Sequence, residues 1–254
     1  MHIYFTFVLF LIGLVLASFF NALLYRIDNG YKYPDIFIRG SHCEKCGKLL
    51  KTYELIPVIS FLIFKGKCSK CGYSVPVYYP LSELLLGIGF ASIYYYSLSP
   101  IIYITLLFFF AFSYFDKLYK NIPAILVDIF LIASITYFFI QIFINNTIPE
   151  NGILVGLIIS LLVYILGKVF KKPFGIGDIL VFLGLSILLP MYLYIGFIYI
   201  FLILSSIYSL SLIAMKKATL KTALPLLPFM FVSLALLLLF NEYIIEFFSN
   251  LFYF

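Results

Sequence analysis

From Ile179 to Ala214 the chain runs thirty-six residues without a charged side chain. About 20 apolar residues already span a hydrocarbon core ~30 Å thick. One crossing cannot contain that run, and Pro190 and Gly196 are the places where it can turn. Further apolar runs cover about 4–25, 80–98, 101–115, 122–144, 152–169 and 223–245. Only 11% of residues are charged, whereas a soluble domain carries roughly 25%. Lipid offers no partner to unpaired backbone groups, so each crossing must be a helix. The expected fold class is an all-α polytopic membrane protein with about eight transmembrane helices.

The few charges set the orientation. With eight crossings, all seventeen Lys and Arg fall on one side; with seven, Lys216, Lys217 and Lys221 land on the other. Basic loops stay cytoplasmic, which puts both termini outside. The net charge of +6 is therefore read as topology. No basic region precedes the first run and no small-residue cleavage site follows it, so a retained helix is expected. The domain reading is a first transmembrane helix over 1–25, a cytoplasmic insert over 26–79 and a transmembrane core over 80–254. Asp178 to Pro190 makes only about 18 Å of helix. Either the turn comes later, or Asp178 lies inside the membrane.

The insert holds all four cysteines as Cys43-x2-Cys46, twenty-one residues, then Cys68-x2-Cys71. That spacing suits a four-thiolate zinc site. Gly47 and Gly72 directly follow the two pairs, where tight turns aim backbone groups at sulfur. A reducing compartment disfavours disulfides. Four thiolates leave no open position, so the zinc is structural. The plain alternative is four unrelated thiols. His42 reads as a loop histidine rather than a ligand. Seven lysines near a zinc ribbon could suggest nucleic acid. The aromatics are not interleaved with them, and no nucleic acid is expected.

Among eleven acids, Glu83, Asp116, Asp128 and Asp178 lie in or at the ends of apolar runs. A carboxylate within a span costs about 2.5–3.5 kcal/mol, which marks such groups as functional candidates. Asp116 and Asp178 both fall near the cytoplasmic boundary. Two carboxylates in one low-dielectric site share a proton, giving one base and one acid. The base activates water and the acid protonates the carbonyl oxygen or leaving amine. Each acid also has a structural reading. Asp178 could be a helix N-cap after a glycine turn. Asp116 could be a solvated loop acid beside Lys117 or Lys120. Asp128 could be an alternative dyad member or a buried hydrogen-bonding group. Glu83 could simply favour a helix N-terminus. His2 and His42 fall on opposite sides, which leaves no serine–histidine pair. No Walker-type phosphate loop is present.

Four pieces of sequence resemble the bacterial type IV prepilin peptidases, membrane aspartic proteases of the glycine-x-glycine-aspartate class. The first is Ser18-Phe19-Phe20-Asn21 with Arg26, where Ala17 stands in place of the usual glycine. The second is the cysteine block with Leu55-Ile56-Pro57-Val58-Ile59-Ser60 and Lys65-Gly66-Lys67-Cys68, running on to Tyr79-Pro80-Leu81-Ser82-Glu83. The third is Asp116 seven residues before Pro123, followed by Ala124 where the family often has an acid. The fourth is Phe174-Gly175-Ile176-Gly177-Asp178. The resemblance reaches to about residue 190. It implies that Asp116 and Asp178 form a catalytic dyad in a bacterial inner membrane. It implies cleavage of a basic leader from prepilins or pseudopilins at the cytoplasmic face. It further implies N-methylation of the new terminus with S-adenosylmethionine, an activity associated with the cysteine-bearing insert. The competing expectations are a proton-coupled transporter using Asp116, Asp128 and Asp178 as relay groups, and a membrane-anchored zinc-ribbon scaffold. The transporter should show internal repeat symmetry, and none is seen.

Overall fold

The computed structural model describes residues 2–145, 152–169, 175–217, 219, 222 and 224–252. Residues 146–151, together with Lys171, Lys172, Phe174 and Lys221, lie outside the described residues. The chain forms two compact units, 1–98 and 99–254. Among the described residues it is helical, with isolated β-bridges only in the cysteine block.

The first unit contains α1 (His2–Asp28), short helices α2 (Asp35–Ile38) and α3 (Ile59–Ile63), a 3-10 turn (Thr52–Leu55) and α4 (Tyr78–Tyr95). The α1 and α4 helices pack tightly against each other because small residues let their backbones approach. A Cβ placed on Gly13 would lie 2.7 Å from the Gly87 Cα and the Leu86 carbonyl oxygen. Ala17, one turn on, is fully buried. Backbone atoms cannot rotate away as a side chain can. Gly13→Leu is therefore expected to destabilise the first unit by about 1–3 kcal/mol, despite leucine's better helix propensity. A lower midpoint in thermal circular dichroism, in detergent, is the readout.

The second unit contains α5 (Ile101–Tyr119), α6 (Ala124–Asn145), α7 (Ile153–Val169), α8 (Ile176–Leu188), α9 (Met191–Ala214), α10 (Leu227–Leu239) and α11 (Asn241–Phe252). Proline marks several starts, since its missing N–H costs nothing there. Pro100 precedes α5, Pro123 precedes α6, Pro190 precedes α9, and Pro228 sits in the first turn of α10. The α8 helix packs against both α6 and α7. Gly184 lies under the Phe130 ring and Gly156 under the Ser186 side chain, so neither has room for a Cβ. Phe109, Phe112, Phe130 and Phe197 are fully buried and meet in edge-to-face pairs.

The apolar runs became helices where the sequence put them. The long run divides at Pro190, not later, so α8 has only 13 residues. Among the described residues, α1, α5, α6 and α9 are each long and apolar enough to cross a membrane. A fifth is gained if α10 and the start of α11 count as one bent span. One expectation needs correction. The run 223–245 is not one helix, because it breaks after Leu239 and bends by 82°. Beyond the break, Glu242 and Glu246 stand four residues apart and exposed on one face of α11.

Candidate active site and metal centre

In the second unit, Asp116 lies in the last turn of α5, which ends at Lys120. Lys120 adopts a left-handed conformation (φ 51°), and its N–H closes the helix on the Asp116 carbonyl at 2.8 Å. Asp116 is buried, so it is not a solvated loop acid. Its Oδ2 accepts the Leu227 N–H at 2.9 Å, with the Leu226 N–H beside it. The otherwise unpaired amides at the start of α10 thus orient this carboxylate.

Asp178 sits in the first turn of α8. The N-cap of that helix is Gly175, and no side chain caps it, so the N-cap reading of Asp178 is corrected. The carboxylate folds back over Gly175 instead, where an added Cβ would stand 3.1 Å from Asp178 Oδ2. Its place also puts negative charge at the positive end of the helix dipole. Gly177 faces the Ile122 side chain across the same site. The two carboxylates are close enough that the charge on Asp116 acts on Asp178.

Both aspartates line a cavity of about 370 Å³ with Lys120, Asn121 and the glycines Gly175 and Gly177. Asp128 lines it too. It is exposed, which removes the reading of Asp128 as a buried hydrogen-bonding group. The contribution of α10 was missed from sequence. The only cue was Pro225-Leu226-Leu227-Pro228, which opens a helix without containing a reactive group.

In the first unit, the two cysteine pairs form matching turns. Cys43 N–H bonds the Lys48 carbonyl at 2.9 Å, and Cys68 N–H bonds the Tyr73 carbonyl at 2.9 Å. Gly47 (φ 66°) and Gly72 (φ 68°) take the left-handed position in each turn. All four sulfurs lie within 4.8 Å of one another. Cys43 and Cys71 Sγ are 3.8 Å apart, and Cys46 and Cys68 Sγ 3.9 Å. Four sulfurs around a tetrahedral zinc at about 2.3 Å stand about 3.8 Å from each other, so the donor set fits that ion. The backbone N–H groups of Cys71 and Lys70 hold the Cys68 thiol down to about 6, which favours the thiolate a metal needs.

A latch ties the turns together. Lys48 Nζ pairs with Glu54 Oε1 at 2.6 Å, and the Ser69 hydroxyl donates to the same oxygen at 2.6 Å. Hydrogen bonds from Lys48, the Lys51 N–H and Ser69 hold the Glu54 carboxyl down to about 2. Glu83, a candidate acid that could also have simply favoured a helix start, is buried and accepts the Val58 N–H at 2.8 Å and the Ser18 hydroxyl. Val58 itself carries φ 60° in a γ-turn closed from Ile59 N–H to the Pro57 carbonyl. A β-branched residue seldom adopts that conformation, and such strain collects at functional sites.

Residues 11–97 match the bacterial peptidase A24 N-terminal domain. A prepilin leader peptidase/N-methyltransferase of Myxococcus xanthus is 39% identical over 32% of this chain and 24% of its own length. Over these residues the chain is similar to prepilin leader peptidase/N-methyltransferases. A Bacillus subtilis protein of the same name is 39% identical over 34% of this chain and 33% of its own length. The match thus spans about a quarter to a third of these two relatives. A longer one, to the Vibrio cholerae prepilin leader peptidase/N-methyltransferase, covers 70% of this chain and 75% of that protein at 28% identity. No solved structure matches the chain.

Proposed function

We propose that the chain is a membrane aspartic endopeptidase that removes the basic leader from prepilins or pseudopilins, then N-methylates the new terminus. The carrying observation is that Asp116 and Asp178, from helices α5 and α8, line one cavity. The names of the relatives supply the substrate class and the second activity.

The aspartate pair shares one proton. The ionised member takes a proton from water as the water oxygen bonds to the scissile carbonyl carbon. The protonated member gives its proton to the carbonyl oxygen. As the resulting diol collapses and the C–N bond breaks, the aspartate that took water's proton gives it to the leaving amine and the other takes a proton from a diol hydroxyl, which restores the pair. Leu226 and Leu227 N–H groups fix one carboxylate, and Gly175 keeps space for the other. With about 20 Å of rise, α8 is shorter than a ~30 Å hydrocarbon core, which would set Asp178 below the lipid headgroups. A prepilin helix lying in the bilayer would present its leader junction at that depth. The same topology puts the four-cysteine insert on the cytoplasmic face of the bacterial inner membrane, amid the basic loops.

The four-thiolate set would hold structural zinc, which supplies cross-linking and no open position for chemistry. S-adenosylmethionine, when bound, supplies the methyl group. The test is to incubate the purified protein, in lipid, with a prepilin and S-adenosylmethionine. Mass spectrometry is expected to show leader loss and a further 14 Da on the mature terminus, one added methylene's worth of mass. An intact prepilin across pilin types would sink the peptidase reading. A cleaved but unmodified terminus would sink the methylation reading alone.

A further inference from the structure

A second cavity, about 220 Å³, lies within the first unit between α1, α4 and the cysteine block. Two opposite charges line it. Arg26, from the end of α1, is 6% exposed, and Glu83, from the start of α4, is 7% exposed. Among the described residues neither makes an ion pair. Arg26 donates from Nη1 to the Ile36 carbonyl at 2.7 Å, and Glu83 has only the Val58 N–H and the Ser18 hydroxyl. Buried charges are ordinarily paired, because desolvating an isolated ion is costly. Asn21 adds a third signal. It is 3% exposed, its Nδ2 donates to Ser82 Oγ at 3.1 Å, and its Oδ1 has no partner.

A buried cation, a buried anion and an unmet acceptor at one cavity suit a zwitterion. Arg26 fits a carboxylate, the group its planar fork binds best. Glu83 and Asn21 Oδ1 both accept, and so fit an ammonium. That pair of groups is the end of an α-amino acid. The remaining wall includes Phe61, Phe64 and Val75, which suits an attached apolar or aromatic body. The cavity is sized for a small molecule rather than for a pilin helix.

We propose that this cavity binds the amino-acid end of S-adenosylmethionine, with Arg26 on its carboxylate and Glu83 and Asn21 on its ammonium. The assignment rests on the methyl-transfer half of the function proposed above. It places the donor in the first unit, beside the cysteine turns.

The test is equilibrium binding of S-adenosylhomocysteine to the full-length protein in detergent, with leader cleavage followed in the same preparations. Arg26→Gln and Glu83→Gln are each expected to weaken binding roughly tenfold or more, the usual loss for a charged hydrogen bond. Cleavage is expected to stay at the wild-type level in both. A comparison on wild type alone avoids any question of variant folding. 5′-Methylthioadenosine, which lacks the amino-acid end, should bind at least about tenfold more weakly than S-adenosylhomocysteine. Equal binding of the two compounds would overturn the proposal, as would wild-type affinity in both variants. Cleavage without any S-adenosylhomocysteine binding would overturn the site while leaving the peptidase reading in place.

Discussion

Asp116→Asn and Asp178→Asn are each expected to cut leader cleavage by roughly 10²–10⁴-fold, the range that acid–base groups contribute. Asparagine is the informative replacement. Its amide oxygen can still accept the Leu227 N–H that Asp116 Oδ2 holds at 2.9 Å, so the start of α10 keeps its partner. Alanine would leave that buried N–H unmet at a cost of about 1–3 kcal/mol and would confuse folding with chemistry. Asp128→Asn is the control. Asp128 lines the same cavity but is exposed and is not fixed at the start of α8 or by α10. Its loss is expected to leave most of the cleavage rate. The comparison is made in membranes, with insertion of each variant checked. A dead Asp128→Asn beside an active Asp116→Asn would keep a protease and remove the first aspartate assigned to it.

The second large effect is on metal. The protein purified under reducing conditions is expected to carry one zinc per chain by elemental analysis. Replacing any one of Cys43, Cys46, Cys68 and Cys71 by serine should weaken that zinc by more than the roughly 10–100-fold typical of a lost outer-shell contact. A structural zinc contributes on the order of 10 kcal/mol to the fold around it, so the insert should lose stability when the metal leaves, with the Lys48–Glu54–Ser69 latch still joining the two turns. Methyl transfer should then fall while leader cleavage persists, since both aspartates belong to the other unit. Protein that arrives without metal would remove the zinc assignment. Cleavage lost together with the zinc would show that the insert also serves the peptidase.

Much of this architecture was legible because membrane helices and metal turns have local signatures. Apolar length gave the helices, and Pro190 marked the division between α8 and α9. The two Cys-x2-Cys-Gly repeats announced paired turns before any coordinate was known. What stayed hidden depends on residues distant in sequence. The Leu227 N–H that orients Asp116 lies 111 residues away, and a backbone amide carries no side-chain signal. The break after Leu239 has neither glycine nor proline beside it, since none follows Pro228. Arg26 and Glu83 stood in separate motifs, 57 residues apart, with nothing in the sequence to join them. Only their shared burial at one cavity separates them from the other charges of the first unit.

The Lys48–Glu54–Ser69 latch has a consequence for how the insert responds to acid. Glu54 is ionised down to about pH 2, well below the unperturbed carboxylate range. Its depressed value means the latch contributes fully above that range and weakens progressively as pH falls from there through about 2. Thiolates bind protons in place of metal far earlier than that. As a solution is acidified, the ion therefore departs while the two turns remain clasped. Demetallation and disassembly become separate events. A chain that has lost its ion keeps the halves of the site at short range, ready to close on another without a new search.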